Sequence, residues 1–147
     1  MGFDLENFLP YRLYQVAEQT SQAFYQHYRE KYGLGRTEWR VLFNVGQYGP
    51  ISAVDISRRS NLEKTKISRA AQRLTERDWV RRVYLQSDRR RHQLELTREG
   101  VKVFRELSKL AATYNQQLED VIGAERSKAL IEELKALEES ILDTDLV

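Results

Sequence analysis

Cysteine is absent from the 147-residue chain, which removes disulfides, thiolate metal sites and thiol-based redox sensing. That inventory fits a reducing compartment, so a cytoplasmic location is expected. Histidine occurs twice, as His27 and His92, far apart and without a carboxylate at metal-ligand spacing, so neither a metal site nor a cofactor is expected. No window of about 18 residues is both apolar and uncharged, and the N-terminus lacks the basic, apolar, small-residue order of a signal peptide. No membrane partner is expected. A glycine-rich phosphate loop is missing too, since Gly33-Leu34-Gly35 is too short to be one, and Ser, His and Asp are scattered. These gaps argue against an enzyme.

What is present is a 41% apolar chain of the size of one compact domain, with charge placed unevenly. Net charge is only +2, yet residues 52–100 carry 13 basic against 7 acidic side chains, and residues 119–147 carry 3 against 9. A basic middle concentrates cation where a polyanion would dock, although a solvated charged surface gives the same count.

Apolar residues at Leu9, Leu13, Val16, Ala17, Phe24 and Tyr28 follow a helical period and predict a long first helix from Glu6 to about Lys31. Gly33 and Gly35 punctuate it. Thr37 as a cap with Glu38 behind it predicts a second helix through Trp39, Leu42, Phe43 and Val45, ended by Gly46, Gly49 and Pro50. Ser52 then caps a short helix that stops near Ser60-Asn61, and another begins around Glu63. That helix places Ile67, Ala70, Ala71 and Leu74 on one side and Lys64, Thr65, Lys66, Ser68, Arg69, Gln72 and Arg73 on the rest.

The period then switches to two. Val83 and Leu85 alternate with Arg82 and Tyr84, Ser87-Asp88-Arg89-Arg90-Arg91 intervenes, and Leu94 and Leu96 alternate with Gln93 and Glu95. Two antiparallel strands with a basic tip are predicted. Thr97 caps a long helix carrying Val101, Phe104, Leu107, Ala111 and Tyr114, and Gly123 separates it from a last helix with Leu130, Leu134, Leu137 and Ile141. That narrow stripe serves packing within the chain or between two copies equally well.

Two helices joined by a short turn, the second rich in Arg, Lys, Ser, Thr and Gln, supply what major-groove reading needs. Arg69, Gln72 and Arg73 are candidate base readers, and Lys64, Thr65, Lys66 and Ser68 candidate phosphate positioners. An ordinary solubilising surface accounts for this helix alone about as well. The hairpin shifts the balance, because Arg89, Arg90 and Arg91 repel one another at a tip with no packing return unless they meet a minor groove or phosphates. Asp88 either bonds backbone amides of the turn or orients a guanidinium.

Asp88-Arg89-Arg90, then Leu96-Thr97 and Gly100, resembles the wing signature of the MarR family of bacterial regulators. Thr37-Glu38-Trp39-Arg40-Val41-Leu42 resembles that family's second helix, and Ile67-Ser68-Arg69 with Arg73-Leu74 its recognition helix, so the similarity runs over about residues 8–143. The resemblance implies a mainly α (α+β) winged helix-turn-helix of about six helices with a two-stranded β wing. It implies a single domain over residues 1–147, with a DNA-binding lobe at 36–100 and a helical dimerisation lobe at 6–32 plus 101–143. The implied protein is a homodimeric transcriptional repressor on a pseudo-palindromic duplex operator, with Arg90 as the wing arginine and Asp88 its partner acid. One departure is Asp78, where the family usually has Gly; Asp tolerates left-handed backbone better than most residues, so only a local change is expected.

Many relatives release DNA on binding small aromatic or phenolic acids. Tyr11, Arg12, Tyr25, Tyr28 and Trp39, with Tyr14 and Arg29 nearby, are candidate ligand contacts, and packing of core or dimer interface explains the same aromatics. The competing function for the fold is a protein-interaction or RNA-binding module without operator specificity.

Overall fold

The computed structural model describes residues 2–146, and among these the chain forms six α-helices and one two-stranded antiparallel sheet. Helix α1 spans Leu9–Tyr32 and follows a short 3-10 turn, Leu5–Asn7, capped by Asp4. It starts later than the apolar period suggests because Pro10 occupies its first turn, where a missing N–H costs nothing. It ends on Gly33, whose φ of 64° is the left-handed geometry that closes a helix.

Helix α2, Arg36–Tyr48, begins ahead of the expected Thr37 cap. Gly35 is the capping residue, and the Glu38 carboxylate reaches back to accept its N–H at 3.3 Å. Gly46 does not end the helix as expected but lies within it, facing Phe104. A Cβ there would come within 2.4 Å of that ring, so the glycine serves close approach and the helix continues to Gly49.

Helix α3, Ala53–Ser60, is capped by the Ser52 hydroxyl, which accepts from the Asp55 N–H, and closes on Asn61 at φ 52°. The Ser57 hydroxyl donates to the Leu62 carbonyl and fastens the turn into helix α4, Lys64–Glu76. Ile67, Ala70, Ala71 and Leu74 are all buried, as their spacing predicts. Asp78 takes the left-handed conformation at φ 59°, the position where glycine was the expected residue.

Strands β1, Val80–Leu85, and β2, Asp88–Leu96, pair antiparallel around the turn Gln86-Ser87. Val80 opposes Leu96, Arg82 opposes Leu94 and Tyr84 opposes His92, so these six share one face. Val83 opposes Gln93 on the other side, so the alternation expected in each strand is real but the apolar sets of the two strands lie on opposite faces. The register then slips, with Leu85 opposing Asp88, which leaves Arg89, Arg90 and Arg91 as extra residues in β2. The three arginines therefore stand on a bulge in the strand beside the turn. Ile51 adds a backbone bridge to Leu94, bonded in both directions at 3.0 and 2.8 Å, that the sequence pattern does not announce.

Helix α5, Arg98–Ile122, is opened by the Thr97 hydroxyl, which accepts from the Gly100 N–H. A Cβ on Gly100 would lie 1.8 Å from the Trp79 carbonyl oxygen, so only glycine fits. Gly123, at φ 97°, separates α5 from α6, Ala124–Leu142.

The chain divides into two compact units, one ending at Ser108 and the other starting at Lys109. The first has the core of Val41, Leu42, Ile56, Ile67, Leu74, Val80, Leu94 and Leu107, each almost wholly buried. In the second, Leu130, Ile131, Leu134 and Ile141 of α6 are exposed. Among the described residues, no helix is long and apolar enough to cross a membrane.

Candidate nucleic-acid interface

Helix α4 turns four apolar residues inward, so its remaining positions face outward as a consequence of the same period. Lys64, Thr65, Lys66, Ser68, Arg69, Gln72 and Arg73 are all exposed. They fall into two sets. Among the described residues, the side chains of Lys64, Thr65, Lys66, Ser68 and Arg69 have no hydrogen bond or ion pair, and they occupy the first half of the helix. Gln72 and Arg73, one turn further on, are held by neighbours. Arg73 Nη1 donates to Glu38 Oε1 at 3.1 Å, and Gln72 bonds both Glu76 and Arg82.

The free half has the donors that a duplex asks for. Arg69 carries a forked guanidinium able to engage guanine, and two lysines and two hydroxyls flank it for phosphate oxygens. The helix N-terminus adds its partial positive charge in the same place.

The wing supplies a second set of cations. Arg89, Arg90 and Arg91 are exposed, and the bulge brings all three out of the ladder. Asp88 Oδ1 accepts the Arg90 backbone N–H at 3.0 Å. Of the two roles open to this acid, the structure shows the first, a turn-forming bond to an amide. It pins the bulge and leaves the Arg90 guanidinium free to reach outward.

The aromatic candidates divide. Tyr28 is buried and stacks on Trp39, with centroids 5.7 Å apart and planes within 14°, while Phe24 and Tyr25 meet Tyr28 edge-on. The guanidiniums of Arg29 and Arg36 lie 5.6 and 5.3 Å from the Tyr25 ring. Burial pushes the Tyr28 hydroxyl up to about 12, opposed by the nearby Arg36 charge. Arg36 also donates twice to Glu18 at 2.9 Å, and this bond holds the Glu18 carboxyl below its usual range. The Trp39 Nε1–H is buried without a hydrogen-bond partner.

Tyr11 and Arg12 do not join this cluster. Seventeen residues along one helix put Tyr11 roughly 25 Å from Tyr28, where it accepts from Gln15 while Arg12 pairs with Glu6. Sequence reasoning placed Arg82 in the first strand but gave it no part in the site. Its signal was its place two residues after Val80, on the inward face of a strand, where an arginine needs a partner.

The family model for the MarR family matches residues 32–91, the stretch from the end of α1 to the arginine bulge. Over that stretch the chain is similar to the MarR family. YwoH of Bacillus subtilis (strain 168), an uncharacterized HTH-type transcriptional regulator, is 29% identical over 89 residues, which are 60% of this chain and 64% of that protein. The match thus spans less than two thirds of that relative.

A MarR/EmrR family transcriptional regulator from Acinetobacter sp. ADP1 superposes with a TM-score of 0.86 over 97% of this chain and all of that one, at 22% identity. BpsR of Bordetella bronchiseptica, whose DNA binding is regulated by 6-hydroxynicotinic acid, superposes with a TM-score of 0.83 over 99% of this chain and 100% of its own, at 18% identity. At those identities the likeness is one of fold. It establishes the winged-helix fold, with α4 as the second helix of the helix-turn-helix and β1–β2 as the wing.

Proposed function

We propose that the chain is a transcriptional repressor that binds a pseudo-palindromic duplex operator as a homodimer and releases it when a small aromatic acid binds. The observation that carries the reading is the unpartnered cationic half of α4, from Lys64 to Arg69, beside a wing that exposes Arg89, Arg90 and Arg91. A solubilising surface has no need to keep three arginines together on a bulge. A minor groove or a pair of phosphate rows does.

In this reading Arg69 reads bases, Lys64, Thr65, Lys66 and Ser68 hold phosphates, and the wing arginines enter the adjacent minor groove. Residues 36–100 form the DNA-binding lobe, and residues 6–32 with 101–143 form the dimerisation lobe. Exposed apolar residues support the second part: Leu9, Tyr14 and Val16 on α1, and Leu130, Leu134 and Ile141 on α6. The effector would sit by Tyr25, Tyr28 and Trp39, where a buried, unpartnered indole N–H and the Arg29 guanidinium suit an aromatic carboxylate. BpsR, which has this fold and responds to such an acid, supports that class of ligand.

The test is to incubate the protein with sheared genomic DNA at near-physiological salt, recover what remains bound and sequence it. Sites sharing an inverted repeat establish the dimeric regulator. Uniform recovery, or none, moves the function to an interaction module that uses the same fold.

A further inference from the structure

Gln72 sits one turn beyond Arg69 on the exposed side of α4, where a glutamine would be taken for a reader of adenine. Its side chain is spent elsewhere. Arg82 Nη2 donates to Gln72 Oε1 at 2.8 Å, and Gln72 Nε2 donates to Glu76 Oε1 at 3.0 Å. A guanidinium can only donate and a carboxylate only accept, so the amide has one orientation that satisfies both, oxygen to Arg82 and nitrogen to Glu76.

Arg82 reaches this point because of where the register puts it. It lies on the inward face of the wing with Val80 and across from buried Leu94, a position normally given to an apolar side chain. Only by extending past that face can its charge find a partner, and α4 offers one. The bond therefore joins the recognition helix to the strand that carries the wing.

From this we infer that Gln72 is a positioning residue. It sets the angle of the wing against α4, through Arg82, and does not read a base. The inference rests on the DNA-binding reading above and deepens it, because it says which part of α4 determines sequence preference: the half from Lys64 to Arg69.

The test uses the full chain as wild type, Gln72→Ala, Arg82→Ala, the double variant and Arg82→Lys. Each is used to select from a pool of random 30-base-pair duplexes, and its affinity for the wild-type winner is measured. The expected result is one shared motif, with each alanine variant about fivefold weaker, the double variant no weaker than either single, and Arg82→Lys partly restored. A changed base preference at one position in Gln72→Ala alone, or additive losses, overturns the inference.

Amide hydrogen exchange over residues 80–96 of the DNA-free protein provides a readout that needs no DNA. Gln72→Ala and Arg82→Ala should speed it equally, and the double variant no further; an unmoved wing overturns the inference. If the wild type selects no motif, the DNA-binding reading fails, and the exchange result alone decides whether the two elements are coupled.

Discussion

The guanidinium of Arg73 lies 3.1 Å from Glu38, a carboxylate that is only 7% exposed and that also accepts the Gly35 N–H at the start of α2. One buried acid thus caps one helix and anchors another. Removing Arg73 would leave that charge short of a partner while the rest of the site stands. Arg73→Ala is expected to cost about 1–3 kcal/mol in urea unfolding. Glu38→Gln, which keeps an acceptor, should cost less. Additive losses in the double variant would show that the pair is not coupled.

Gly100 and Gly46 are both close-approach glycines, but against different neighbours. Gly100 faces the Trp79 carbonyl, fixed backbone, and Gly46 faces the Phe104 ring, which can rotate or shift. Gly100→Ala should therefore lower the melting temperature more than Gly46→Ala, the latter costing about 1–3 kcal/mol. The reverse order in calorimetry would mean that the start of α5 yields more readily than its contact with α2.

At Asp78 the left-handed backbone favours glycine, so the family's usual residue is also the less strained one. Asp78→Ala is expected to be about 1 kcal/mol less stable than Asp78→Gly, measured as a difference between two denaturation midpoints. No difference would show that the turn relaxes its φ on substitution.

For the wing, neutralising Arg89, Arg90 or Arg91 one at a time should weaken duplex binding at every sequence alike and reduce the slope of log affinity against log salt by about 1. Asp88→Ala should weaken binding although it removes a negative charge, because the Arg90 amide loses the acceptor that holds the bulge. Tighter binding by Asp88→Ala would show that its charge matters more than its bond.

Alkaline titration isolates Tyr28. Burial raises its folded value to about 12 above an ordinary 10.0, so the folded state keeps its proton after the unfolded chain has lost it. Stability from this group is complete below pH 10.0 and falls as pH rises toward about 12. Tyr28→Phe should flatten that decline in denaturation midpoints; an unchanged curve would place the titration elsewhere.

Much of the helical framework was legible, because α4 and the turn before it follow from local rules: spacing of Ile67, Ala70, Ala71 and Leu74, and a small polar Asn61 that tolerates a left-handed turn. The start of α2 was misread because Thr37-Glu38 looks like a cap, while Glu38 serves Gly35 three residues back. Gly46 was taken for a helix end because its reason, the Phe104 ring, lies 58 positions away in the chain. The candidate site divided in the same way. That α4 would show a basic face needed only its period, but that Gln72 and Arg73 would be tied down depended on Arg82 and Glu38, which no local pattern brings together. The bulge under the arginines was hidden for the same reason, since register belongs to two strands at once.

Ile51 and Leu94 exchange both of their backbone bonds, so the residue leading into α3 and the base of the wing share a fixed point. That point is a ladder rung and not a loose loop, so paired amides tie the base of the wing to the chain entering α3. The arginines thus sit at the far end of a short lever whose fulcrum lies against the core. A displacement of Ile51 is therefore passed directly to Leu94 and the strand that carries the arginines, and one of that strand is passed back toward Ser52, where α3 begins.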